Sequence, residues 1–262
     1  MHWPKTVTGV LAGVLLVVAG CSSEAPAANA RIAQLKEQGT IRVCTTGDYR
    51  PFTFLDDNGS WSGLDIDMAN DMAKQLGVRA DFVQTTWASL VDDLEDKCDV
   101  AVGGVSITLK RAERVAFSAP YLRDGKAGVV RCTDAQEYHS LGDIDRPGVR
   151  VVVNPGGTNA EFDKERLKAA QVIEYPDNNT IFEQILDNKA DVMITDTSEI
   201  RWQTKRNPKL CGVSLDHPFT FSQKAYAMAL GAPDLQQWVD QWLNIVQHDG
   251  TYDALSRKYF GE

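Results

Sequence analysis

The chain has 262 residues, 43 % hydrophobic and 24 % charged. That is the composition of a folded protein with room for one large domain or two modest ones, and it excludes disorder. A formal net charge of −9 repels phosphates and anionic headgroups, which argues against nucleic acid or a membrane surface as the primary partner. An anionic ligand must therefore be met by local positive groups.

Residues 1–5 carry a basic end, residues 7–18 are an apolar run, and Val18-Ala19-Gly20-Cys21 sets small residues ahead of a cysteine. The run is too short to span a membrane and reads as part of a signal peptide over residues 1–20. The stretch resembles a bacterial lipobox, which makes Cys21 the expected lipidation site; ordinary cleavage near Ala19-Gly20 is the alternative. Residues 22–30 are a polar, Ala- and Pro-rich tether. The expectation is an exported protein, periplasmic or at the cell surface, that touches the membrane only through a lipid anchor. Cys44, Cys98, Cys132 and Cys211 remain, an even number in an oxidising compartment, with three possible pairings. No C-x-x-C spacing occurs and the histidines are scattered, so no metal site is expected.

Residues 31–38 read as an amphipathic helix stopped by Gly39, and residues 41–43 as a strand running into the turn-rich stretch 45–49. Apolar positions at helical spacing predict a helix over 65–76, ending at Gly77. A strand over 80–83, a helix over 90–95 and a buried strand over 99–104 (DVAVGG) follow. The same grammar restarts with a strand at 149–153 and the turn Asn154-Pro155-Gly156-Gly157-Thr158. Helix 160–170, strand 172–175, helix 180–186 and buried strand 190–195 complete it. Two α/β lobes are implied, with ligands expected where strands end in glycine turns. The aromatic-rich, helical residues 235–260 are expected to pack back on the first lobe.

GTIRVCTTGDYRPFTF, WSGLDIDMANDMAKQLG, DVAVGGVSITLKRAERVAFSAPY and KADVMITD resemble the polar amino-acid-binding branch of the solute-binding proteins, over about residues 31–260. The resemblance implies the two-lobed type II periplasmic-binding-protein fold, each lobe a mixed, mainly parallel sheet flanked by helices. Lobe one would be 39–130 plus 220–262 and lobe two 131–219, with crossings near 128–131 and 219–225 and a hinge that closes on the ligand. TTGDYRPF, TTWASL, PYLRDGK, VVNPGGTN, PDNNTIF and TDTSE are further similar to the cyclohexadienyl dehydratase family. Those exported enzymes convert prephenate to phenylpyruvate, or arogenate to phenylalanine, releasing water and carbon dioxide. Cys132 and Cys211 fall where that family has cysteines, and the pairs Cys132–Cys211 and Cys44–Cys98 each lie within one implied lobe.

The resemblance also gives roles to residues. Arg111 would grip a carboxylate with two parallel hydrogen bonds, in the loop that also carries Gly104 and Ser106. The turn with Asn154, Gly157, Thr158 and Asn159 would hold a second carboxylate on N–H groups at a helix start. Tyr49 and Trp87 would wall a ring, and Lys126 would steady carboxylate charge or orient a departing hydroxyl. Asp196 and Glu199, read from spacing alone, could equally be a capping box with Asp196 as N-cap. The resemblance makes Glu199 the proton donor, while an aspartate like Asp196 pairs with a ligand ammonium in amino-acid binders. A glutamate titrates at about 4.3 in water, so only desolvation and anionic neighbours could keep Glu199 protonated. No cofactor is expected, because aromatisation drives the decarboxylation and no phosphate-loop or dinucleotide motif is present. The expected partner is a small carboxylate, prephenate or arogenate. The alternative is a non-catalytic amino-acid-binding lipoprotein serving an ABC permease.

Overall fold

The structure, a computed structural model, describes residues 1–4 and 30–261. Residues 5–20 of the expected signal segment, Cys21 and the tether up to residue 29 lie outside the described residues.

The chain begins with α1 (Ala30–Gln38), ended by Gly39 at φ 70°, whose N–H donates to the Leu35 carbonyl. β1 (Thr40–Thr45) leads into a small antiparallel sheet of β2 (Asp48–Tyr49), β3 (Thr53–Leu55) and β4 (Trp61–Ser62). Then come α2 (Leu64–Leu76), β5 (Arg79–Gln84), α3 (Leu90–Asp96), β6 (Val100–Ala101), α4 (Leu109–Ala112) and β7 (Val115–Phe117). The chain crosses on β8 (Leu122–Asp124) into β9 (Lys126–Arg131), α5 (Leu141–Ile144), β10 (Arg150–Val153) and α6 (Thr158–Arg166). β11 (Gln171–Glu174), α7 (Ile181–Leu186), β12 (Val192–Asp196), α8 (Thr197–Arg206) and β13 (Leu210–Val213) complete the second lobe. The return runs on β14 (Ser222–Lys224), antiparallel to β8, into β15 (Ala227–Ala229), α9 (Pro233–Val246) and α10 (Thr251–Phe260).

Two five-stranded mixed sheets result, ordered β5-β1-β6-β15-β7 and β11-β10-β12-β9-β13. In each, three parallel strands are followed by one antiparallel strand (β15 or β9) and then by an edge strand (β7 or β13) that runs with the first three. β12 is buried along its whole length, as a strand covered on both faces must be. Leu235, Val239, Trp242, Leu243 and Val246 of α9 lie on one helical face and join Leu64, Met68 and Met72 of α2 in the core of the first lobe. Burying each such large side chain contributes about 1.5–3 kcal/mol. Both expected disulfide pairs, Cys44–Cys98 and Cys132–Cys211, are formed.

Three expectations need correction. A lobe boundary at 130 would leave β9 in lobe one, but β9 pairs along its length with β12 and β13. The crossing is therefore earlier, at Gly125, where β8 and β14 form the two-stranded link between lobes. The strand expected over 99–104 shrinks to β6, because Gly103 and Gly104 (φ 112° and 71°) already turn the chain and donate their N–H groups to Asp65. The helix expected at 160 starts at Thr158 and stops at Arg166. The C-terminal region is helical and packs on the first lobe as expected, as two helices separated at Gly250 (φ 90°).

Candidate active site between the lobes

The cleft is where the strand ends of both sheets meet. Tyr49, Trp87, Gly104, Ser106 and Arg111 line it from the first lobe; Asn154, Gly157, Thr158, Asn159 and Asp196 line it from the second. The structure thus brings together every residue expected to bind substrate, and adds Asn178. The lobes are closed. The space left at the centre is about 20 Å³, room for a water and not for an organic acid. Tyr49 Oη donates across the cleft to Asp196 (2.6 Å), Asn178 Nδ2 to the Asp48 carbonyl (2.9 Å), and Arg50 to Asn179 (3.1 Å).

Glycine is required at two of these contacts. A Cβ on Gly104 would lie 2.7 Å from the Phe52 ring and 2.9 Å from the Tyr49 ring. A Cβ on Gly156 would lie 2.8 Å from the Cβ of Ala88 in the opposite lobe. Both sit at positive φ, a region that side chains disfavour. Tyr49 stacks on Phe52 and meets the edge of Trp87 at 5.4 Å, so the two aromatic rings stand together on the cleft. Tyr49 does more than wall the cleft, since its hydroxyl bonds the second lobe.

Arg111 lies on α4, whose N-cap Thr108 accepts from the Arg111 N–H. Its Nη1 donates to the Ser106 carbonyl (3.0 Å), which turns the guanidinium into the cleft mouth. Burial pulls its pKa down, yet a guanidinium stays charged. Its neighbours lie on the surface: Arg114 bonds Glu95 and Asp92, and Lys110 bonds Glu161 of the second lobe. On the other wall, Thr158 Oγ1 and Asn159 Oδ1 both accept from Lys126 Nζ. Those side chains are therefore engaged, and what the turn retains for an anion is the N–H groups at the start of α6. Asn154 ties the turn to the Pro176 carbonyl (2.8 Å).

Behind the wall is a buried charge cluster. Asp196 Oδ1 accepts from Lys126 (2.8 Å), and Oδ2 accepts from Lys224 and Tyr49. Burial alone would push the Asp196 carboxyl up, but the ammonium groups of Lys126 and Lys224 hold it well below the usual range. Asp196 is the N-cap of α8 without a side-chain capping bond. Asp124 takes the bonds at that helix start instead, accepting from Thr197 Oγ1 (2.6 Å), the Ser198 hydroxyl and the Ser198 N–H (3.2 Å). Glu199 does not reach back either, so the capping-box reading of Asp196 and Glu199 falls. Glu199 Oε2 accepts from Thr195 Oγ1 (2.6 Å), which accepts from Asn159 Nδ2 (3.0 Å). Glu199 is 1 % exposed, and burial pushes its pKa up to about 8, with Asp196 adding to the effect. Lys126 stands directly behind the cleft lining, and Glu199 one residue further back, behind Thr195.

Lys224, Asp124, Thr195 and Asn178 were not foreseen. Lys224 had one signal, an ionisable residue beside the apolar run 225–230 on a crossing segment. The others are set by pairings remote in sequence. Among the described residues no group of three or more His, Cys, Asp or Glu side chains could hold a metal ion.

The bacterial extracellular solute-binding proteins, family 3, match residues 41–262. The chain is 40 % identical over 248 residues to the cyclohexadienyl dehydratase of Pseudomonas aeruginosa, covering 94 % of this chain and 92 % of that protein. It is 29 % identical to the L-cystine-binding protein TcyJ of Escherichia coli, covering 98 % and 95 % respectively. Among solved structures it is similar to the ancestral amino acid-binding protein AncCDT-1, a precursor of cyclohexadienyl dehydratase. The TM-score is 0.81 at 36 % identity, covering 87 % of this chain and 99 % of that one.

Proposed function

We propose, from the premise that this chain belongs to the bacterial extracellular solute-binding proteins, family 3, that its cleft performs the decarboxylating dehydration of a cyclohexadienyl acid such as prephenate or arogenate. Kinship with a dehydratase along nearly the whole chain makes it a lyase built on a binder's fold. In the proposed reaction the bond from the ring to its carboxylate breaks and carbon dioxide leaves. The electron pair passes through the ring and expels the C4 hydroxyl, which takes a proton and departs as water. The ring becomes aromatic, and no oxidant or reductant is consumed.

The observation that carries this reading is the divergence of two neighbouring carboxyls. Asp196 is held ionised by two ammonium groups, while Glu199, three residues on, is pushed up to about 8 and so holds a proton at neutral pH. Paired groups driven apart in this way mark an acid and a fixed charge. Glu199 is then the general acid, and Lys126 orients the wall it shares with Thr158 and Asn159. Arg111 and the start of α6 take the two carboxylates, and Tyr49 and Trp87 flank the ring. Substrate entry requires the lobes to part, and reclosure on the substrate brings the leaving hydroxyl within hydrogen-bond reach of the Glu199 carboxyl. Export and a lipid on Cys21 complete the proposal; the intact mass of the membrane-extracted protein tests the lipid.

Purified protein incubated with prephenate near neutral pH, with phenylpyruvate read by absorbance in strong base, tests the activity. Turnover above the spontaneous rate is expected, and Glu199→Gln should lower kcat about 1,000-fold with substrate binding largely retained. An unchanged kcat would remove Glu199 from the reaction. No turnover together with tight binding of an ordinary amino acid would leave a transport binder instead.

A further inference from the structure

Glu199 delivers a proton only if the first turn of α8 is held at one depth, and the two residues that usually hold a helix start do not hold this one. Asp196, the N-cap, makes no side-chain capping bond; its oxygens accept from Lys126, Lys224 and Tyr49. Glu199 accepts from Thr195 and does not reach back. The first N–H groups of a helix still need partners, and they find them on the crossing segment Asp124-Gly125. The Gly125 carbonyl accepts from the Thr197 N–H (2.9 Å), and Asp124 Oδ1 accepts from the Ser198 N–H (3.2 Å) and from Thr197 Oγ1 (2.6 Å). Asp124 Oδ2 accepts from the Ser198 hydroxyl. Both hydroxyls that precede Glu199 in the helix are therefore engaged.

Asp124 is buried and lies outside the cleft lining. It ends β8, and the paired strand β14 carries Lys224, whose Nζ is 4.0 Å from Asp124 Oδ2. The two crossing strands thus hold the start of one helix with opposite charges, Asp124 on its N–H and hydroxyl donors and Lys224 on the Asp196 carboxylate. Gly125 allows the close approach, since a Cβ there would lie 2.1 Å from the Thr220 carbonyl oxygen. The charged groups around Glu199 are Asp196 on β12, Lys126 on β9 and Lys224 on β14, and burial is the largest cause of its raised pKa. A looser first turn would admit water to that carboxyl and let its pKa fall toward the ordinary value.

We propose that Asp124 is a positioning residue for the acid of this cleft: by tying the first turn of α8 to the crossing strands, it keeps the Glu199 carboxyl dry and at the depth from which it protonates the leaving hydroxyl. The proposal rests on the dehydratase reading and deepens it, because Asp124 acts only through Thr197 and Ser198.

The test joins prephenate kinetics to NMR titration of the Glu199 carboxyl carbon without substrate, its signal assigned by its loss in Glu199→Gln. Wild-type Glu199 should titrate at about 8. Asp124→Ala should lower that value by about one unit or more and lower kcat about 100-fold, with KM within about twofold. Asp124→Asn keeps an acceptor for the Ser198 N–H and should restore kcat to within about tenfold of wild type. A merely structural brace would lose stability in Asp124→Ala and leave the Glu199 titration where it was. An unmoved titration therefore overturns the proposal whatever happens to kcat, and leaves the dehydratase reading standing. A titration that moves as expected in a protein that turns over no prephenate keeps the positioning role and overturns the dehydratase reading. Should Asp124→Ala not fold, Thr197→Val combined with Ser198→Ala removes both hydroxyl bonds and is judged on the same titration.

Discussion

Each lobe buries an aspartate at its cleft loop, and the two are held by opposite means. In the first lobe Asp65 accepts from the N–H groups of Gly103 (2.8 Å) and Gly104 (2.7 Å) and from the hydroxyls of Tyr121 (2.7 Å) and Tyr226 (3.3 Å), all neutral. In the second lobe Asp196 accepts from two ammonium groups and one phenol. Burial raises the Asp65 pKa despite its donors, whereas the lysines more than reverse the same penalty at Asp196. Neutral donors fix the shape of a loop. Ammonium donors also fix a charge, and a ligand must match it.

The strongest way to separate the two kinds of carboxyl is pH. Glu199 and Asp163 are both raised to about 8 by burial, and neither Asp163 oxygen has a hydrogen-bond partner. The folded form keeps protons there that the unfolded chain releases above pH about 4, so their stability contribution is full below pH 4 and is lost as pH rises to about 8. Asp196 has the opposite sign, stabilising above its unfolded value and failing as pH falls toward its depressed folded one. Urea-unfolding free energies from pH 4 to 9 should show an alkaline fall on the order of 10 kcal/mol, roughly halved by Asp163→Asn. A flat curve would mean that both groups are ionised when folded.

Breaking the charged anchor comes next. Asp196→Asn leaves Lys126 and Lys224 buried without their partner and should cost about 3–5 kcal/mol by urea unfolding at pH 6. Asp65→Asn disturbs only hydrogen bonds from uncharged donors and should cost about 1–3 kcal/mol; a loss larger than at Asp196 would reverse the comparison. The smallest effect is expected at the rim, where the Lys110–Glu161 pair is exposed on both sides. Lys110→Ala should change stability by less than about 0.5 kcal/mol, and less still at high salt.

Local signals made much of the fold legible in the sequence. Gly39 and Gly77 stop helices because the chain leaves in a left-handed turn, and an apolar run such as 192–194 has the composition of a strand covered on both faces. The cleft lining was legible because its residues sit in turns after strands and resemble a known pattern. Lys224 was not, since its partners lie 28 and 118 residues away and only the β8–β14 crossing brings them together. The role of Asp124 at the start of α8 was hidden for the same reason: it lies 73 residues before Thr197, while Asp196 stood next to the helix. The placement of β9 turned on a pairing that periodicity cannot reveal.

Trp87 is held edge-on to Tyr49 in its own lobe and faces Gly157 of the other, where an added Cβ would lie 3.4 Å from its ring, so its half-buried indole forms part of the joint. Parting the lobes would wet that ring and move its emission to longer wavelength, and closing on a ligand would move it back. Trp87→Phe would identify the signal among the six tryptophans. The molecule thus carries an optical gauge of its own closure. Read in a stopped-flow instrument, it would time the swing of the lobes apart from the breaking of the ring's bonds.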